Sequence, residues 1–254
     1  MIAAGAVLRA VQYFAGASQW VDELALSRAF VGLPWTRLLA SPLPYGQLAP
    51  KGFVLLEKAA VTAFGAGDLA LRLVPFAASL AALELFRRLA GRLLARPAAV
   101  AFALALFALQ PLLVAYSAQV KPYACDVAVA LALTLIALDP ERARPDRRRA
   151  LLLAAAGILA VALSNAAVLV LAGLGVALMI QARRMERGLA AVLGTWAAAA
   201  AGAALWARQG MTPLAERYLA SYWAPAVAPR PHTLPGDLAW LVHSLVATVG
   251  EPGT

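Results

Sequence analysis

Two adjacent carboxylates, Asp22 and Glu23, stand just behind Trp20, where an apolar opening stretch ends. A carboxylate in a partly dry cleft at such a boundary can take a proton from a hydroxyl group as a general base. The plainer role for the same pair is structural, as acids at the N-terminus of the helix that follows. A second group lies in Tyr45-Gly46-Gln47-Leu48-Ala49-Pro50-Lys51-Gly52-Phe53. Its prolines and glycines predict a turn rather than a helix, in which Gln47 and Lys51 can point at one ligand or simply face solvent. A third group runs from Tyr116 to Asp126 and contains Gln119, Lys121 and Tyr123. Lys121 and Tyr123 suit an interface, one by snorkelling and the other as an aromatic anchor. Asp126 falls about one turn inside an apolar helix, where an ionisable group is costly and faces a partner or a cavity. Lys121 and Asp126 are five positions apart, a poor spacing for pairing along one helix. Cys125 is the only cysteine, and His232 and His243 have no partner at a metal-ligand spacing, so neither a disulfide nor a metal site is expected.

The elements that must hold these residues are unusually apolar. Hydrophobic residues make up 63% of the 254 and charged residues 14%, against roughly 25% charged in ordinary soluble domains. Lipid is the solvent that fits such a chain. The formal net charge of +9 does not point to nucleic acid, because the basic residues sit in short clusters between apolar runs and form no basic face with interleaved aromatics. Runs long enough to cross a bilayer are Leu73–Leu89, Pro97–Tyr116, Tyr123–Leu138, Leu151–Ile180 and Leu189–Ala207, with Met1–Ala15 as the outer part of a first helix. Three arginine clusters assign the cytoplasmic side: Arg87, Arg88, Arg92 and Arg96; Arg142, Arg144, Arg147, Arg148 and Arg149; and Arg183, Arg184 and Arg187. Leu151–Ile180 lies between two of them and is too long for one span, so a thin hairpin breaking at Ser164-Asn165 is expected. The chain then makes about seven crossings as one membrane-embedded domain, residues 1–254. Residues 16–72 form a first outer loop and 208–254 a second outer segment. Within the first, Glu23–Val31 and Phe53–Phe64 are expected as surface helices joined by the proline-rich stretch from Pro34 to Pro50. An aromatic belt is expected from Trp20, Trp35, Tyr45, Trp206, Tyr222 and Trp223.

Several stretches, in this order, resemble the polytopic glycosyltransferases of the GT-C fold. These are Leu8-Arg9 with Trp20-Val21-Asp22-Glu23, Gln47 to Phe53, Phe64-Gly65 with Leu71-Arg72-Leu73, Tyr116-Ser117 with Lys121-Pro122-Tyr123 and Asp126, Ser164-Asn165, and Ser221-Tyr222-Trp223. The nearest group is glycosyltransferase family 39 and its bacterial relatives, which include protein O-mannosyltransferases and lipid A aminoarabinose transferases. The resemblance implies an all-α GT-C bundle in the bacterial inner membrane with its site facing the periplasm or exterior. It implies inverting transfer of a sugar from a polyprenyl-phosphate donor to the hydroxyl of a lipid, glycan or protein acceptor, without a cofactor. Asp22 would be the base, Lys51 and Lys121 would hold the donor phosphate, and Glu23, Gln47, Gln119, Tyr123 and Asp126 would shape the pocket. The chain departs from the family at Gln119, Ala118 and Ala49, where relatives carry a glutamate, a glutamine, and a histidine or lysine. Gln119 cannot hold a divalent cation strongly, so no metal is expected from these positions. The short first helix and the end at Thr254 are those expected of a chain incomplete at both ends. Two other functions fit parts of the sequence: a non-catalytic membrane subunit of the same fold, suggested by Gln119, and a secondary transporter, which requires a second broken segment matching the first.

Overall fold

The computed structural model describes residues 1–40, 42–138, 147–181, 187–209, 211, 213–224, 227 and 233–250. Arg142, Arg144, Arg183, Arg184 and His232 lie outside the described residues. Every regular element among the described residues is helical. The chain divides into two compact units, Met1–Gly210 and Met211–Thr254.

The first unit opens with α1, Ile2–Phe14, and a short link to α2, Val21–Gly32, and α3, Trp35–Ala40. α4, Lys51–Phe64, the short α5, Asp68–Leu71, and α6, Leu73–Leu93, follow. α7, Pro97–Leu109, and α8, Pro111–Ala115, are the two halves of one expected span, bent at 56°. Pro111 lacks the N–H that would continue α7, and the Gln110 side chain accepts the Leu113 N–H at 3.0 Å to start α8. α9, Tyr123–Ala137, α10, Arg147–Leu163, α11, Ala167–Gln181, and α12, Arg187–Gln209, complete the unit. The break expected at Ser164-Asn165 is present, since α10 stops at Leu163 and the Ser164 hydroxyl accepts the Ala167 N–H at 3.0 Å before α11 begins. Each of the six expected apolar stretches therefore coincides with a helix or a pair of helices. Among the described residues α12 is the one helix long and apolar enough by itself to cross a membrane, and the bent α7–α8 pair reaches that length together. The second unit contains α13, Pro213–Trp223, and α14, Leu234–Gly250.

Two corrections concern the first outer loop. Lys51 and Gly52 are not part of a turn: the turn ends at Pro50, whose carbonyl accepts the Val54 N–H at 3.0 Å and so begins α4. The proline-rich link also contains a helix, α3, which the prolines at either end obscure. α2 and α4 are helices as expected, and they share a core. Phe30 and Phe53 are fully buried and meet edge to face at 6.2 Å, with Leu26, Leu38, Val54, Val120 and Cys125 around them.

Buried cations tie the unit together through carbonyl groups. Arg9, 1% exposed, donates from Nη1 to Gly5 O and Ala108 O, both at 3.0 Å, and so pins α1 to the last turn of α7. Arg72 donates to Ala17 O, which closes the link after α1 against the start of α6. Tyr13 donates its hydroxyl to Leu69 O at 2.6 Å while its ring stacks on Phe76. α6 packs along α9, and α10 along α12, where Trp196 donates to Leu153 O at 2.8 Å over Gly157.

Candidate active site

The site is assembled on the start of α2. Trp20 is the N-cap, Asp22 and Glu23 lie in the first turn, and each acid goes a different way. Glu23 is buried and both its oxygens accept backbone N–H groups: Oε2 from Trp20 at 3.3 Å and Oε1 from Val120 at 2.8 Å. The first bond closes the helix start on itself. The second crosses 97 positions of sequence and fixes the turn that carries Lys121. With both oxygens so occupied, Glu23 acts here as a clamp.

Asp22, one residue earlier, is half-exposed and faces two polar side chains. Gln47 Nε2 donates to Asp22 Oδ1 at 3.3 Å, and Lys121 Nζ lies 3.7 Å from Asp22 Oδ2. Lys121 also donates to Gln47 Oε1 at 3.0 Å, so the amide bridges the Asp22 carboxylate and the cation. The Lys121 ammonium lies 5.6 Å from the centre of the Trp20 ring. Three residues from three parts of the chain thus converge, which the spacing of 22, 47 and 121 does not reveal. Burial pushes the Lys121 ammonium below its ordinary range, partly offset by the attraction of Asp22 and Glu23.

Gln47 owes its position to a tight turn. Pro44–Gly46 is a single 3₁₀ turn in which Tyr45 adopts φ 59° and Gly46 φ 66°, after which Gln47 is extended. A tyrosine in the left-handed region costs of order 1 kcal/mol or more, a cost found where a segment must present a side chain. Gln47 also lines a pocket of about 470 Å³, within the range that accommodates small organic ligands. Its apolar walls include Leu48, Ile158, Val161, Ala199 and Ala203, and its polar lining is Gln47, Lys51, Asn165, Trp206 and Gln209. Lys51, the first residue of α4, donates to Leu38 O at 2.6 Å and holds its ammonium 4.5 Å from the centre of the Trp206 ring. Burial pushes its pKa down as well.

The expected site residues therefore separate into groups. Asp22, Gln47 and Lys121 meet directly; Lys51, four residues after Gln47, lines the same pocket as Gln47, and Glu23 holds the Lys121 turn through Val120. Asp126 takes a different direction, its carboxylate lying towards Ser164 at the break between α10 and α11, with Oδ1 buried without a hydrogen-bond partner. Gln119 likewise buries an unpartnered Oε1, and its backbone carbonyl accepts the Lys121 N–H at 2.8 Å to tighten the turn. Tyr123 packs its ring 4.8 Å from that of Tyr116. Among the described residues no group of three His, Cys, Asp or Glu side chains is arranged to hold a metal ion. Sequence reasoning missed Trp206 and Gln209 as pocket residues. Trp206 carried only the signal of an interfacial aromatic, and Gln209 carried none. Comparison with protein-family models, curated proteins and solved structures finds no match to the chain.

Proposed function

We propose that the chain is a membrane-embedded, inverting glycosyltransferase that uses a polyprenyl-phosphate sugar on the extracytoplasmic face of the bacterial inner membrane. The observation that carries the reading is the Asp22–Gln47–Lys121 cluster, joined through Gln47 to an apolar pocket with Lys51 in its polar lining. Asp22 is exposed enough to meet an acceptor hydroxyl, and as the general base it withdraws the proton while the oxygen attacks the anomeric carbon. The leaving group is a lipid phosphate, whose charge Lys51 and Lys121 stabilise as it develops. Gln47 holds Asp22 and Lys121 in a fixed relation, which spares the reaction that reorganisation. The first isoprene units fit against the apolar residues of α10 and α12.

Membrane embedding is supported by what the helices leave uncovered. Leu169, Ile180, Phe102 and Leu106 are all more than half exposed, at 78%, 77%, 66% and 58%. Large apolar surface of this kind marks a contact with lipid or with another protein. The test is transfer from a polyprenyl-phosphate sugar in membranes carrying the wild type or Asp22→Asn. Loss of two or more orders of magnitude is expected for the variant; transfer that survives the change intact removes Asp22 as the base.

A further inference from the structure

The lining of the pocket beside Gln47 is selective in its charge. Its hydrogen-bonding side chains are three amides, Gln47, Asn165 and Gln209, with the indole of Trp206, and its one charged group is the Lys51 ammonium. No Asp or Glu lines it among the described residues. Asp22, the carboxylate that bonds the pocket residue Gln47, is already engaged by Lys121 and Gln47. Amides donate and accept with equal ease, which suits the mixed donor and acceptor character of ring hydroxyls. An indole supplies an apolar edge or face for the C–H groups of a pyranose or furanose ring. A protonated amine, by contrast, would lose hydration beside Lys51 with no carboxylate to compensate it, and like charges in one desolvated site are strongly unfavourable.

From this lining we infer that the transferred group is a neutral, hydroxylated glycosyl and that cationic amino sugars are rejected. The inference rests on the proposed transferase reading and narrows it to one class of donor. The neutral amides fix the ring, and Lys51 is left to the phosphate.

The test is binding to the full chain in nanodiscs, with three competitors against a radiolabelled polyprenyl-phosphate hexose: the unlabelled hexose lipid, the corresponding 4-amino-pentose lipid, and polyprenyl phosphate alone. The hexose lipid is expected to compete on the order of ten-fold or more better than the amino-sugar lipid. Asn165→Asp and Gln209→Glu, which place a carboxylate in the lining, are expected to narrow or reverse that preference. An amino-sugar lipid that competes as well as or better than the hexose lipid with the wild type overturns the inference and leaves the transferase reading standing. Failure of the labelled lipid to bind at all overturns the transferase reading, and the inference with it. The wild-type comparison decides the matter even where a pocket variant fails to fold.

Discussion

Gly52 is where the site is most sensitive to a single carbon atom. It is the second residue of α4, and a Cβ built on it would lie 2.7 Å from Ala162 O, 3.1 Å from Ala162 C and 3.2 Å from Leu163 Cδ2. Ordinary carbon–oxygen contacts begin near 3.3 Å, so Gly52→Ala requires a separation of roughly 0.6 Å between two backbones. Neither can yield by a rotamer change, because the close contact is a carbonyl in the last turn of α10. Overpacking of this kind costs about 1–3 kcal/mol. Replacing a helical glycine by alanine returns about 0.5–1 kcal/mol where the space is open. The net expectation is destabilisation by about 0.5–2 kcal/mol. Gly194→Ala, in the middle of α12 with nothing within 4 Å, is the control, and it should be neutral or stabilising. Reversible unfolding in mixed detergent micelles, followed by far-UV circular dichroism, measures both. Lys51 and Ala162 flank the contact and line the pocket, so KM for the donor should also rise more than kcat falls. A Gly52→Ala protein as stable as Gly194→Ala would show that α4 and α10 are not held at this approach and would undo the account of the pocket.

Three further outcomes follow from the same geometry. Glu23→Gln keeps one acceptor oxygen but faces an N–H group with an amide donor; loss of charge-assisted bonds at a buried site should cost about 2–4 kcal/mol and lower kcat with little change in the pH profile, measured by unfolding and transfer assays together. Burial lowers the folded pKa of Lys121 below the unfolded value of 10.5, so the unfolded chain binds the extra proton between the two values. In that window stability rises with pH while the phosphate loses its ammonium, and transfer should decline at a pH below 10.5; Lys121→Arg should move that alkaline limb upward. Glu57 is fully buried with both oxygens unpartnered, and burial raises its pKa well above 4.5. The folded chain therefore retains the proton above pH 4.5, stability falls as pH rises from there towards the folded pKa, and Glu57→Met should abolish that slope and stabilise the protein at neutral pH.

The helices were legible because their signals are local. Apolar runs of the right length, Pro97 at a helix start and the polar Ser164-Asn165 interruption each act on their immediate neighbours. The failures have equally physical causes. Pro111 was readable as a break, yet the apolar residues on both sides disguised it within one run. Pro50 and Gly52 on either side make Lys51 read as part of a turn, whereas proline is well tolerated where a helix begins. The candidate site was visible in its residue types but not in its contacts. Asp22 was singled out by the boundary on which it sits; that Gln47 bridges it to Lys121 depends on tertiary packing that joins positions 25 and 74 residues apart. Glu23 could be recognised as a first-turn acid, but its bond to Val120 has no trace in sequence.

The bend at Pro111 and the arginine in α1 turn out to depend on each other. A helix that ends leaves its last carbonyls without internal partners, and Ala108 O is among those released where α7 stops. Arg9 takes up that oxygen, so a guanidinium that would otherwise be a liability inside an apolar bundle finds an acceptor created by the interruption. Straightening the segment would leave the guanidinium with Gly5 O of its own helix as its remaining acceptor, and removing the cation would strand the Ala108 carbonyl.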